Sequence, residues 1–554
     1  MTTQKDYLGP YNFFNFCREN KLLLISTLVA MGFTYGILLF HTPIGIDTEY
    51  AMSLYNNRIA RWYSQGGRFG IDLLNLLFFI KEFNPYTCAF FALNFIYLGT
   101  IAWCYLISIF SKEKLNAYLI PFALLFITSP VWTEQFYFLM MAAETSLVVL
   151  LCPITILFLY RGCLENKTYL IILSVILTVL IISIYQTSIA MLLSGFGICF
   201  ILFEDSSNYD ARYYYILAVK IFFAIIFSGV VYCLIVKILT GQIISSYHKS
   251  DYILWTKQNF IDSMYNIVLI AKSIFIDTFI QFVKEKQFKH TYGSALLMPM
   301  TLLYIIQICR NTFFFSTQKR AMYIFAGFSI PFCIILIPVL GATVPPIRAM
   351  YVLPLVISFL PLYLINKRDK KILKQFLAGI MLIFALYQSQ ISTQLQYSDW
   401  QRYNRDVKIA YDIDRMIQDK INNKKNVRIA LVGGYTIDNQ FNDNFLQGAV
   451  IGSSLFEFAD RWVDSWNEST RRVACFMRTL GIKYDIVNDK KKMDEAIIMA
   501  QDMPCYPANG CVREYNGIVI INLSVKQSLY CNKVIEEHKK NTISHALKTG
   551  EINR

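Results

Sequence analysis

Two acids one residue apart, Asp47 and Glu49, stand in the run Gly45-Ile-Asp47-Thr-Glu49-Tyr50, about seven residues beyond the first long apolar stretch. Close behind comes Arg58-Ile-Ala-Arg61-Trp62-Tyr63-Ser-Gln65-Gly66-Gly67-Arg68-Phe69-Gly70. Carboxylates, guanidiniums and aromatic rings are thus gathered within fewer than 30 residues, at the depth where lipid headgroups meet water. Such a set suits a phosphate-bearing substrate at a membrane surface. Guanidinium forks bind phosphate and stabilise it as it leaves. A neighbouring carboxylate takes the proton from an attacking hydroxyl. Aromatic faces either stack on a sugar ring or anchor the loop at the interface. A solvated loop with an aromatic belt is the plain alternative, and the clustering argues against it.

Further polar residues lie in apolar surroundings. Glu144 falls inside the run 136–160, where an ionised carboxylate costs about 2.5–3.5 kcal/mol. It therefore faces a cavity or a partner, either completing an acceptor site or making a structural hydrogen bond. Glu134 belongs to the short connection before that run and faces outward. Gln186, in Tyr185-Gln186-Thr187, suits either a hydrogen bond to a sugar or the capping of a helix. In Pro345-Pro346-Ile-Arg348 the prolines fix an extended turn. That turn brings Arg348 to the rim, for phosphate contact or for snorkelling to a headgroup. His248 and Lys249 read as a solvated loop, and the scattered His41, His290, His538 and His545 lack zinc-ligand spacing. Asp47 and Glu49 could hold a divalent ion, but nearby arginines make one unnecessary; neither metal nor cofactor is expected.

These residues need a membrane scaffold. Hydrophobic residues make up 55% of the 554 and charged residues 16%, against about 25% charged in soluble domains. Mean hydropathy is +0.41, which excludes a single water-soluble enzyme and also a disordered chain. Taking roughly 20 apolar residues per span, spans are expected near 21–40, 86–110, 116–130, 136–160, 168–185, 188–203, 213–236, 293–309, 321–340, 349–365 and 373–391. The stretch 69–80 is too short to cross and reads as an interfacial or re-entrant helix, and Ile261–Phe282 as an interfacial one. Lys and Arg crowd one set of short connections, including Lys112, Lys114, Arg161, Lys167 and Lys367–Lys374, whereas the alternate set holds only Arg348. By the positive-inside rule the N-terminus is cytoplasmic and residues 392–554 are extracytoplasmic. The excess charge, 52 Lys+Arg against 38 Asp+Glu, serves topology rather than a nucleic-acid partner.

The fold class expected is an α-helical polytopic membrane protein of about 11 transmembrane helices (1–391) with a small C-terminal α/β domain (392–554). In the latter, strand-like 427–432, 482–487 and 518–523 alternate with a helical segment near 457–480. Gly433-Gly434 reads as a strand-to-loop turn, since no nucleotide-loop pattern surrounds it. Four of the 13 cysteines fall in this domain. The turn Cys505-Tyr-Pro-Ala-Asn-Gly-Cys511 could close a disulfide.

Acidic pair in the first outer loop, interfacial helix and span number together resemble the GT-C glycosyltransferases. More narrowly, the chain resembles the Gtr type II glucosyltransferases that modify bacterial O-antigen during serotype conversion. The matching pieces are Asp47-Thr-Glu49, Arg61-Trp62 through Gly66-Gly67-Arg68, Tyr185-Gln186-Thr187, Arg348, and Met503-Pro504-Cys505-Tyr506-Pro507 with Ile518–Ile521. The resemblance implies a polyprenyl-phosphate sugar donor and a lipid-linked glycan acceptor, joined on the periplasmic face of the inner membrane by a single inverting displacement. It implies Asp47 as general base, Glu49 as a second acid placing the acceptor hydroxyl, and Arg61, Arg68 and Arg348 as ligands of the donor phosphate. Trp62, Glu134, Glu144 and Gln186 would contact substrate.

Two other classes compete. A lipid-linked glycan transporter would show internal repeats or ionisable residues near midplane, and Glu144 is the clearest such residue. A glycan polymerase or ligase would share the outer-face arginines, but has no need of an acidic pair directly after the first span.

Overall fold

The computed structural model describes residues 13–54, 63, 66–78, 82–206, 211–241, 254–256, 258–285, 294–312, 315, 317–421, 427–436, 445–458, 466–524 and 529–549. The chain divides into two compact units. One comprises Met1–Thr42 and Asn56–Thr393, the other Pro43–Tyr55 and Gln394–Arg554.

The first unit is helical. Among the described residues, seven helices of the chain are long and apolar enough to cross a membrane: Lys21–Leu39, Pro85–Phe110, Leu139–Leu164, Gln186–Asp205, Arg212–Thr240, Phe260–Gln281 and Lys371–Lys420. The bent pair Asn116–Ile127 and Pro130–Phe136, with 43° between its halves, makes an eighth when taken as one span. The expectation was about eleven. Thr168–Ile184 and Val352–Asn366 are apolar but shorter, and Leu297–Thr312 and Thr317–Phe332 have 16 residues each, below the roughly 20 that a perpendicular span needs. Phe260–Gln281, expected at the interface, is long enough to cross. Phe69–Leu77 is a nine-residue helix, too short to span.

Local chemistry explains these elements. Asn84 accepts hydrogen bonds from the Tyr86 and Thr87 amides at 3.0 and 3.2 Å, and Pro85 occupies the first helical position, so the helix Pro85–Phe110 starts there. A Cβ on Gly99 would lie 3.0 Å from the Leu150 amide, so glycine lets this helix approach Leu139–Leu164 closely. In an apolar surrounding a break between helices must find partners for its backbone. At the 127–130 bend Tyr35 donates to the Ile127 and Ser129 carbonyls, Trp132 Nε1 to Phe126 and Ser392 Oγ to Thr128.

The second unit contains a four-stranded sheet, β1 (Arg428–Gly433), β2 (Asp485–Ile486), β3 (Val512–Tyr515) and β4 (Ile518–Ser524), in the order β2-β1-β4-β3. β1 is parallel to β2 and β4, and β3 pairs antiparallel with β4. β1 and β4 are buried along almost their whole length, which is why both read as unbroken apolar runs. β1 ends where Gly433, at φ +77°, meets β4. A Cβ there would sit 2.0 Å from the Ser524 carbonyl oxygen, so the Gly433-Gly434 pair is a strand terminus. Val432, Ile520, Met493 and Ile497 form the core between sheet and the helix Lys490–Ala500, capped by Asp489.

Cys505 and Cys511 are free thiols, so the bridge expected in their turn is not formed. Cys505 is exposed, whereas Cys511 is buried with its sulfur 3.7 Å from Met416 Sδ.

Candidate functional site

The acidic pair belongs to the second unit. Ile44 and Ile46 are buried, and alternate with Gly45 and Asp47 in the chain leading to the short helix Thr48–Leu54. Asp47 adopts φ +70°, a left-handed conformation that L residues other than Gly, Asn and Asp rarely take. The segment is pinned from the long helix Lys371–Ile421. Arg402 donates from Nη1 to the Ile44 carbonyl at 2.9 Å. It also donates to Asp399 Oδ1, at 3.0 Å from Nε and 2.7 Å from Nη2, and to Asp406 Oδ2 at 3.3 Å.

Opposite the pair lies the helix Glu468–Thr479. Thr470 fixes it to β1, accepting from the Leu431 amide at 3.0 Å and donating to the Leu431 carbonyl at 3.1 Å. At i, i+3 and i+4 spacing Glu468, Arg471 and Arg472 share one face. Arg472 reaches all three nearby carboxylates with different nitrogens: Nη2 to Asp47 Oδ1 at 3.0 Å, Nη1 to Glu49 Oε1 at 2.7 Å and Nε to Glu468 Oε1 at 2.7 Å. Its plane lies over the Tyr50 ring at 4.6 Å, and Tyr50 donates to Glu468 Oε1 at 3.2 Å. Arg471 holds the other Glu468 oxygen at 2.6 Å.

The three acids differ in access. The Asp47 side chain is 21% exposed, Glu468 10% and Glu49 0%. Burial pushes the Glu49 carboxyl up to about 8; Arg472 pulls against this, and Asp47 adds to it. Glu49 Oε2 is buried with no hydrogen-bond partner among the described residues. For Arg472, burial disfavours the charged form, but Asp47, Glu49, Tyr50 and Glu468 outweigh it and raise its proton affinity. Asp47 is thus the most exposed of the three acids, and Glu49 is enclosed with Oε1 on Arg472.

A second set lies in the first unit. Arg68 follows Gly67, at φ +74°, where a Cβ would approach the Tyr232 hydroxyl to 2.7 Å. Gln186 donates to the Gly66 carbonyl at 2.8 Å and to Tyr232 at 3.2 Å, Tyr232 donates to the Gly67 carbonyl at 3.1 Å, and Arg68 Nε donates to Gln186 Oε1 at 3.5 Å. The Arg68 guanidinium stacks over Tyr185 at 5.3 Å, and the Tyr185 hydroxyl donates to the Arg348 carbonyl at 3.3 Å. Arg348 itself lies over the Phe138 ring at 4.4 Å. Among the described residues neither arginine pairs with a carboxylate, so both keep charge for an anion. Gln186 thus shapes the glycine turn with its amide nitrogen and meets Arg68 with its amide oxygen.

Glu134 is not in an outward loop: it lies inside the helix Pro130–Phe136 and is fully buried. Glu144 sits in Leu139–Leu164, with Oε2 buried and unpartnered among the described residues. Arg61 and Trp62 fall outside the described residues. The sequence reading missed Arg472, Glu468 and Tyr50. The available signal was Glu468-Ser-Thr-Arg471-Arg472 in a segment already read as helical.

The sequence model of the family described as Glucosyl transferase GtrII matches residues 36–357, more than half of the chain. No curated protein and no solved structure matches it. The matched stretch carries Asp47, Glu49, Arg68, Gln186 and Arg348, whereas Arg472 lies beyond it. Glucosyl transfer requires a sugar donor and a glycan acceptor, and the long apolar helices make this a membrane protein. The chain is a membrane glycosyltransferase and belongs to the GtrII glucosyl transferase family.

Proposed function

We propose that this protein moves glucose from a polyprenyl-phosphate donor to a lipid-linked surface glycan, the O-antigen of serotype conversion, on the outer face of the bacterial inner membrane. In this reading the membrane part is of GT-C type with about 11 spans, the N-terminus is cytoplasmic and 392–554 forms an extracytoplasmic domain. Asp47 accepts the proton of the acceptor hydroxyl as its oxygen attacks C1 of the sugar. The C1–O bond to phosphate breaks with its electron pair on the departing phosphate oxygen, and the anomeric centre inverts. Arg68 and Arg348, with Arg61, neutralise the leaving polyprenyl phosphate. Trp62 and Glu144 contact substrate.

The observation that carries this reading is the partly exposed Asp47, fixed in a left-handed conformation beside a buried second acid. The acid is held, open to one side, and close to a cation, as a general base requires. The test is transfer from radiolabelled polyprenyl-phosphate glucose to lipid-linked glycan by wild type and Asp47→Asn. Asparagine tolerates the same backbone conformation. Turnover should fall by at least about 10² while donor binding persists, the scale of general-base removal. Near-normal turnover refutes the assignment.

A further inference from the structure

We propose that Arg472 is a positioning residue for the transfer: its guanidinium is the fixed counter-cation that aims Asp47, so that a residue late in the chain completes the acidic pair. The inference rests on the reading of Asp47 as base, and extends it to a residue outside the family-matched stretch.

Three carboxylates converge here, from Asp47, Glu49 and Glu468. Acidic groups this close repel one another unless a cation sits among them. Arg472 is that cation, and its shape matters as much as its charge. A planar fork presents Nε, Nη1 and Nη2 in fixed directions, and each meets a different acid. A lysine ammonium, one point charge on a flexible stem, could not satisfy all three. The remaining neighbours hold the fork still: Tyr50 beneath its face, Arg471 on the far oxygen of Glu468, and Thr470 tying the helix to β1. Asp47 in turn keeps its left-handed backbone conformation, and its carboxylate is oriented by Nη2. The charged and titratable groups facing Arg472 are Asp47, Glu49 and Tyr50 from the first segment and Glu468 and Arg471 from its own helix.

An arginine that served the fold alone would change the amount of folded protein, not the turnover of the protein that folds. Buried ion pairs frequently add little net stability, so a role in positioning is the better account of a guanidinium spent on three acids. Removing it takes away the Nη2 contact at 3.0 Å that aims the Asp47 carboxylate. Turnover then falls while donor binding persists.

The experiment measures kcat and donor KM separately for the full-length protein in detergent, with polyprenyl-phosphate glucose and lipid-linked glycan. The variants are Arg472→Met, Arg472→Lys and Asp47→Asn. Arg472→Met should lose about 10²-fold in kcat, the scale of a misplaced catalytic group, with donor KM changed less than about threefold. Arg472→Lys should recover part of the rate, since charge returns without the fork. Wild-type kcat in folded Arg472→Met, or a loss confined to donor KM, overturns the proposal. If that variant does not fold, undiminished kcat in Arg472→Lys overturns it instead. Asp47→Asn separates the two claims, since wild-type turnover there defeats the base assignment itself.

Discussion

Replacing Arg402 with methionine tests how the acidic pair is held in place. The guanidinium makes two contacts to Asp399, one to Asp406 and one to the Ile44 carbonyl, three residues before Asp47. Asp399 and Asp406 side chains are 6% and 0% exposed, so methionine would strand two carboxylates in the interior. Breaking a buried ion pair from one side costs about 3–5 kcal/mol. Part of that is offset locally: Asp406 still accepts from Ser454 Oγ at 2.6 Å and the Leu455 amide at 3.0 Å, and Asp399 from the Gly452 amide at 3.1 Å. The loss should therefore lie near 3 kcal/mol, at the lower end of that range. At about 2–4 °C per kcal/mol for a unit of this size, the apparent Tm should fall by roughly 6–12 °C. Thermal unfolding of the detergent-solubilised protein measures this. Amide exchange should also accelerate across 44–49, where the tether is lost. Adding Asp399→Asn and Asp406→Asn to Arg402→Met should restore part of the stability, because the stranded charges are gone. A Tm change below about 2 °C, or no gain from the added substitutions, refutes the reasoning.

Glu49→Gln gives a pH-dependent outcome. The folded carboxyl titrates near 8 against a usual 4.5, so between those values the folded state binds the extra proton and stability falls as pH rises. The full span is about 5 kcal/mol at 1.36 kcal/mol per unit. Glutamine removes that slope, and the variant should match wild type near pH 5 and exceed its Tm near pH 8; a wild type more stable at pH 8 refutes the sign. Gly67→Ala places a methyl 2.7 Å from the Tyr232 hydroxyl in a left-handed conformation, and so displaces Arg68. The kcat/KM for donor should fall about tenfold, one lost charge-assisted contact, with kcat sharing in the loss; unchanged kcat/KM dissociates Arg68 from the donor.

What could be read from the chain and what could not divides along physical lines. Asp47 and Glu49 stood out because carboxylates at the end of an apolar run are costly and local. The β1 and β4 segments stood out because strands buried on both faces leave unbroken apolar runs. Arg472 did not, because acid and arginine at i, i+4 normally mark a solvated helix face, and only tertiary contact across 423 positions buries it. Glu134 misled for the opposite reason: the bend at 127–130 resembles a loop in sequence, yet Tyr35 and Trp132 satisfy its backbone and keep it internal. The short helices Leu297–Thr312 and Thr317–Phe332 show that hydropathy windows blur where charged ends flank an apolar middle.

The great distance along the polypeptide between the early acids and their late arginine also sets a timetable. At roughly 5–20 residues per second, a ribosome needs about 20–80 s to travel from one to the other. During that interval the nascent protein already carries its acids, its glycine turn and its apolar helices, but not the guanidinium. On the role proposed for Arg472, a chain released early by a stop codon or a stalled ribosome would enter the bilayer inert. Only a product extended past Arg472 would carry the whole cluster.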